Sequence, residues 1–445
     1  MIDYMFFRVR KNTVTVHSVL CIYCTVREKV IQECINPIAV GDFNGFMQVT
    51  GHGVNSNRIR VPYTAYYITR TFFMYIFILL LLFILLFQVS SSGPEHFQED
   101  HFTKNFELPL RGFFTLVIVY HHLSQYLDNP GPFRVFLEVG ILCVAAFFFY
   151  SGYGLMKSVL TNQNYFRHFF LRRYIKIFVP FFICNILYLF VYYLTGDRFG
   201  LKLSLEYVSG IQLINPQSWY IIVIALFYFV FFVTFRFTRN RIISFFLLGV
   251  FQIAFPTYCM VKGPGIYWFQ GEWWFNSSSL FFIGILIAQF EKPIMKYTRK
   301  WYYPLLLVSA GAFLYFFPKS VQVLDRIEPL LMKEHIFAKE MLGNWICFIW
   351  QTLAVINFMI FVFLLTLKIR FTNRILIFLG SRSFELYLIH GLFLEVFRSD
   401  KFYIQSDFLY TAAVLLLSLG CASFMYYPFK MISKKLEQYS LQLYK

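Results

Sequence analysis

The sequence predicts an all-α fold: a polytopic membrane helical bundle with a ten-span core plus one extra N-terminal span. Three observations lead there. Hydrophobic residues make up 58% of the 445 and charged residues only 14%, where an ordinary soluble domain is about 25% charged. Eleven apolar runs lie along the chain, each close to the ~20 residues a helix needs to cross a bilayer. Basic residues gather in every second connection between those runs, as they do in cytoplasmic loops.

Taken in order, residues 1–71 have weak periodicity and form a poorly organised N-terminal extension. Within them Cys21 and Cys24 make a lone C-x-x-C, with no second pair and no His at zinc spacing, and are read as unpaired. The run 72–90 follows Arg58, Arg60 and Arg70 and precedes VSSSG and a linker holding Glu95, Glu99 and Asp100. Alone it reads as an additional span or signal anchor with its linker outside. The loop pattern beyond it instead requires the next span to start inside.

The ten core spans fall at about 112–127, 135–156, 177–195, 218–235, 242–261, 274–290, 301–317, 344–367, 375–397 and 407–428. Their basic connections hold Lys157, Arg167, Arg172, Arg173 and Lys176; Arg236, Arg239 and Arg241; Lys292, Lys296, Arg299 and Lys300; Lys368, Arg370 and Arg374; and Lys430, Lys434 and Lys435. The positive-inside rule places all five clusters in the cytoplasm. The net charge of +17 thus belongs to a membrane face, and no basic patch interleaved with aromatics suggests nucleic acid. Membrane lipid is the expected surrounding. Cys143, Cys184, Cys259, Cys347 and Cys421 sit in or beside apolar runs as small hydrophobes.

Polar residues inside a span are expensive and draw attention to function. Arg111 and His122 are eleven positions apart, about 20° from alignment and roughly 16 Å along one helix face. His121 points ~100° away and meets a different neighbour. Arg111 is read either as an interfacial anchor or as part of a site, and His122 either as a hydrogen-bonded core residue or as a reacting group. Ser151, Gly152, Tyr153 and Gly154 end the second core span, where small residues admit a helix or a ligand. Arg172, Arg173 and Lys176 suit phosphate or anionic headgroups. In GSRSFELYLIHG, Arg382 and Glu385 can pair across three positions, and Glu385, Tyr387 and His390 form a dense polar set. Trp219, Tyr220, Trp273 and Trp274 read as interface aromatics. Hydrolase, zincin, Walker and dinucleotide motifs are absent, and no metal-ligand spacing is seen.

Four segments in chain order resemble the integral-membrane acyltransferases of family 3, which O-acylate glycans. They are R-x10-H at Arg111 and His122, FFFYSGYGL at 147–155, RRYIKIFVP at 172–180 and GSRSFELYLIHG at 380–391. The resemblance covers about residues 105–440. It implies that His122 is the residue tied to acyl transfer, with Arg111 its partner on the same span. The family's R-x-x-R falls on Arg173 and Lys176, and the Lys keeps the charge but not the bidentate fork. The acidic residue often found six positions before the motif Ser is here Ala145.

The resemblance therefore implies an acyltransferase, foremost an acetyltransferase. It would take the acyl group from cytoplasmic acetyl-coenzyme A or another acyl-coenzyme A, with no permanently bound cofactor. The acceptor would be a hydroxyl of a carbohydrate or cell-envelope glycan. The expected location is a bacterial cytoplasmic membrane. His122 would act as general base or as transient acyl carrier, and Arg172, Arg173, Lys176 and Ser151 would hold the donor. The rival reading is a transporter or flippase without chemistry, which matching broken spans in two halves would favour; none is found.

Overall fold

Lipid offers the backbone no hydrogen-bond partner, so an apolar run that crosses it must satisfy its own amides as a helix. The computed structural model describes residues 46–48, 60–93, 95–100, 102–238, 240–262, 268–334 and 337–443. The expectation for Cys21 and Cys24 lies outside these. The chain divides into two units, Met1–Ile76 and Phe77–Lys445. In the first, an antiparallel ribbon pairs Phe46–Gln48 with Arg60–Pro62, and helix α1 (Tyr63–Leu86) begins.

The second unit carries the rest: α2 (Lys104–Tyr126), α3 (Gly140–Thr161), α4 (Phe169–Leu194), α5 (Leu201–Ser209), α6 (Trp219–Phe237), α7 (Arg241–Lys262), α8 (Ser279–Gln289), α9 (Glu291–Lys300), α10 (Tyr302–Glu334), α11 (Phe337–Thr366), α12 (Arg374–Ser381), α13 (Ser383–Val396) and α14 (Asp407–Leu443). Large apolar side chains such as Ile242, Leu314 and Phe424 stand exposed on α7, α10 and α14, which is where a bundle meets lipid.

The all-α membrane architecture holds, but the span count differs from the expectation. Among the described residues, seven helices are long and apolar enough to cross a membrane, or nine if each of two bent pairs is one span. The shortfall from ten plus one lies in α1, where only Met74–Leu86 is a described apolar helix, and in α2. The second has a physical reason. α2 carries Lys104, Glu107, Arg111, His121 and His122, yet most of its length from Leu110 to Leu123 is buried. Packed by α3, α12 and α13, it meets protein rather than lipid and need not be apolar.

Two close crossings fix its position. A Cβ on Gly380 would lie 1.8 Å from the Leu108 carbonyl oxygen, and one on Gly112 would lie 2.3 Å from that of Leu376. Only hydrogen side chains let α2 and α12 approach this closely. α3 and α8 cross the same way: a Cβ on Gly152 would meet the Phe281 oxygen at 2.0 Å, whereas one on Gly154 would meet nothing within 4 Å. Beyond Gly380 the chain turns by 76° between α12 and α13, with Arg382 at the corner.

The connection after α1 is tied to the loop after α11. Val89–Ser91 pairs antiparallel with Ile369–Phe371. Lys368 Nζ donates to the Gly93 and His96 carbonyls at 3.1 and 2.7 Å, and Arg370 bridges Asp100 at 2.8 Å. Asn373 caps α12 by accepting from the Leu376 amide at 2.7 Å and donates to the Phe87 carbonyl at 3.1 Å. Arg299 and Lys368 both lie over the Phe97 ring, and Lys157 pairs with Glu291 at the start of α9. The linker thus lies at the basic end of the bundle.

At the far end, Arg398 is buried among α2, α13 and α14. It pairs with fully buried Asp407, bridges Asp128 at 3.2 Å and donates to the Tyr126 and Ile404 carbonyls at 3.1 and 2.7 Å. The Asp128 and Asn129 amides donate to the Asp407 carboxylate at 3.3 and 3.1 Å.

Candidate active site

Helical periodicity places Arg111 and His122 on one face of α2, and α13 is what that face meets. Arg111 Nη2 donates to Ser383 Oγ at 3.4 Å. One turn-pair further along, the His122 and His390 ring centroids are 5.2 Å apart. Ser383 and His390 are seven residues apart, two turns of one helix face, so the two contacts share one seam.

His390 is fully buried. Its Nδ1 donates to the Tyr387 and Leu386 carbonyls at 2.8 and 3.2 Å. A carbonyl only accepts, so Nδ1 bears the proton and Nε2 is a bare acceptor; that buried Nε2 has no hydrogen-bond partner. His122 as a residue is half-buried. Its Nδ1 lies 3.4 Å from Gln125 Oε1, and Gln125 Nε2 lies 3.2 Å from His121 Nε2. His121 Nδ1 in turn sits 2.9 Å from the Phe136 carbonyl, the different neighbour that its direction on the helix implied.

The basic cluster lines a cavity of about 320 Å³ between α4 and α6, walled by Tyr165, Arg172, Arg173, Lys176, Ile177 and Tyr228. Arg173 Nε donates to the Tyr165 hydroxyl at 2.8 Å, and its guanidinium lies over the Tyr165 and Tyr228 rings. Arg172 and Lys176 reach Glu437 of α14 at 3.8 and 3.4 Å.

Aromatic hydroxyls join the two places. Tyr228 and Tyr220 flank Ser151 Oγ at 3.5 and 3.4 Å. The Tyr220 ring packs edge-on to Tyr387 at 6.1 Å, and Tyr387 neighbours His390 at 6.2 Å. Tyr387 donates its hydroxyl to the Gln217 carbonyl. Ser151, Tyr387, His390 and His122 therefore lie along one polar line that begins at the Arg173 cavity.

Not every sequence-predicted group behaves as expected. Arg382 makes no ion pair with Glu385: it stacks over Phe378 and Tyr426, 3.8 and 4.9 Å from the ring centroids, and donates to Ser381 Oγ at 2.8 Å. The three-residue spacing fails because the helix breaks at Arg382. Glu385 is buried within electrostatic range of both Arg382 and Arg111. Trp219 and Trp274 are not interface aromatics but buried, with ring centroids 6.0 Å apart. The Gly152 side of the S-G motif is a helix contact.

Sequence reasoning missed Gln125, Tyr165, Tyr228 and Gln217. Only Gln125 left a trace: in HHLSQ it falls three and four positions after adjacent histidines, on their side of the helix.

Residues 110–427 match a family model described as an acyltransferase domain. No curated protein and no solved structure matches the chain. The matched stretch covers well over half of the sequence and holds both seam histidines, the cavity residues of α4 and α6 and the tyrosines between them; the chain belongs to acyltransferase family 3.

Proposed function

We propose that the protein is a membrane O-acyltransferase of a bacterial cytoplasmic membrane. It moves an acyl group, acetyl foremost, from cytoplasmic acyl-coenzyme A to a hydroxyl of a cell-envelope carbohydrate. The facing imidazoles of His122 and His390 carry this reading. His390 offers a bare acceptor nitrogen beside the His122 imidazole, a pair suited to a substrate that brings its own proton, as a hydroxyl does. His122 takes that proton while the hydroxyl oxygen bonds to the thioester carbonyl carbon. The carbon–sulfur bond then breaks, and the leaving thiolate takes the proton from the imidazolium. A histidine suits this exchange because its ordinary pKa lies near neutral pH.

The cavity around Arg173 supports a dock for the coenzyme phosphates, which a guanidinium binds with charge-assisted hydrogen bonds. Ser151 and its two tyrosines, with Arg111 and Glu385 beyond them, offer polar contacts along the way to the histidine pair. Arg111 on the same face as His122 suits negative charge on the incoming donor.

The test is turnover of labelled acetyl-coenzyme A by the full chain in lipid nanodiscs and in membranes that carry their own glycans. His122→Ala should lower transfer by about 10²–10⁴ at normal protein yield, and Arg111→Ala should do nearly as much. Full activity in His122→Ala would overturn the base assignment. Donor binding with neither transfer nor hydrolysis in the unaltered protein would sink the enzyme reading and favour transport.

A further inference from the structure

His121 stands beside His122 without facing the seam, and Gln125 touches both rings. We propose that His121 and Gln125 form a hydrogen-bond relay, anchored on the Phe136 carbonyl, that holds His122 in the tautomer whose Nε2 is the free acceptor. The inference rests on the proposed role of His122 as base, and makes His121 and Gln125 positioning residues for it.

The protons can be assigned one after another. The Phe136 carbonyl lies 2.9 Å from His121 Nδ1 and can only accept, so that nitrogen carries the hydrogen. The neutral ring then has a lone pair on Nε2, which must accept. Its partner at 3.2 Å is Gln125 Nε2, an amide donor. Turning the amide over would set its oxygen against that lone pair, so the orientation is determined. The other end of the amide, Oε1, lies 3.4 Å from His122 Nδ1 and can only accept. His122 Nδ1 therefore bears the proton, and Nε2 is left bare. A backbone carbonyl thus sets the protonation of a ring two links away, with a donor matched to an acceptor at every step.

The tautomer decides the chemistry. With its proton on Nε2, His122 would donate toward the seam and could not take one from a hydroxyl. The relay is also held mechanically. A Cβ on Gly140, at the start of α3, would lie 2.5 Å from His121 Cδ2 and 2.7 Å from its Nε2. The ring is clasped between α3 and the 3-10 turn Gly131–Phe136, and only glycine at 140 leaves it room.

Two readouts test this on the full chain in lipid bilayers. The first is magic-angle-spinning NMR of ¹⁵N-histidine, with the His122 signals identified by their loss in His122→Ala. The unaltered protein should show a single His122 tautomer protonated at Nδ1, and Gln125→Leu should show a mixture. The second is acetyl-coenzyme A turnover. Gln125→Leu should lower kcat roughly five- to ten-fold, the worth of one ordinary hydrogen bond, with KM for acetyl-coenzyme A unchanged. Gly140→Ala should resemble Gln125→Leu, since it displaces the His121 ring.

A His122 protonated at Nε2 in the unaltered protein would overturn the relay. So would full kcat in Gln125→Leu. Full activity in His122→Ala would instead remove the base assignment, and the NMR result would still report on the relay itself.

Discussion

Arg398→Met removes the cation from the far end of the bundle while keeping much of the side-chain volume. The Asp407 carboxylate it leaves is fully buried, as the arginine side chain nearly is at 3% exposure. Two backbone amides still donate to Asp407, but its charge loses its counter-ion, and Asp128 and the Tyr126 and Ile404 carbonyls lose a donor. Breaking one partner of a buried ion pair costs about 3–5 kcal/mol. At roughly 1 °C per kcal/mol for a chain of this size, the unfolding midpoint should fall by about 3–5 °C. The assay is thermal unfolding in detergent followed by loss of the monodisperse size-exclusion peak. Asp407→Asn in the same background removes the stranded charge while its side-chain oxygen still accepts from the amides. The double variant should therefore recover part of the loss, a coupling that two independent sites would not show. An unshifted midpoint in Arg398→Met, or a double variant that merely adds the two single losses, would refute the reasoning.

The other expectations concern the Arg173 cavity, the helix crossings and the orientation. Arg173→Ala should raise KM for acetyl-coenzyme A more than it lowers protein level, and Lys176→Arg should be tolerated; unchanged donor dependence in Arg173→Ala would return the cavity to lipid headgroups. Gly152→Ala should destabilise by about 1–3 kcal/mol through overpacking against the Phe281 backbone, while Gly154→Ala, with open space around its Cβ, should be neutral in the same melt. Single cysteines placed in 157–175 and 292–300 should be shielded from an impermeant maleimide added outside cells, and those in 319–342 should react; labelling of 292–300 from outside would reverse the orientation.

Much of the seam was legible because it obeys local periodicity. Arg111 and His122 share a face by spacing alone, and that face does meet a single helix. What lies across it was not legible: nothing local in the sequence brings His390 to His122, since the contact is made by packing between helices distant in the chain. Local rules also failed wherever the helix did. The Arg382–Glu385 pairing assumed a continuous helix through a corner, and the nearby Gly380 signals a close crossing rather than a bend. Hydropathy gave α2 its place among the spans, yet α2 is too polar to pass as one by composition, because enclosure by protein removes the need for an apolar surface. Trp219 and Trp274 show the converse limit. Aromatics at span ends suit an interface as well as a core, and only the neighbouring helices decide which.

The ribbon of Val89–Ser91 with Ile369–Phe371 bears on where this protein can be cut. The family match begins at Leu110, and a chain trimmed to begin near there would look complete on a sequence map. It would nonetheless lose the carbonyls that take the Lys368 ammonium, the carboxylate that faces Arg370 and the Phe87 oxygen that takes the Asn373 amide. Asn373 is fully buried, so an orphaned donor there would strain the cap of α12 and, through Gly380, the seat of α2. The family match and the brace of the fold therefore begin at different residues: the exit of α1 and residues 88–100 hold the loop before α12 from outside the matched stretch.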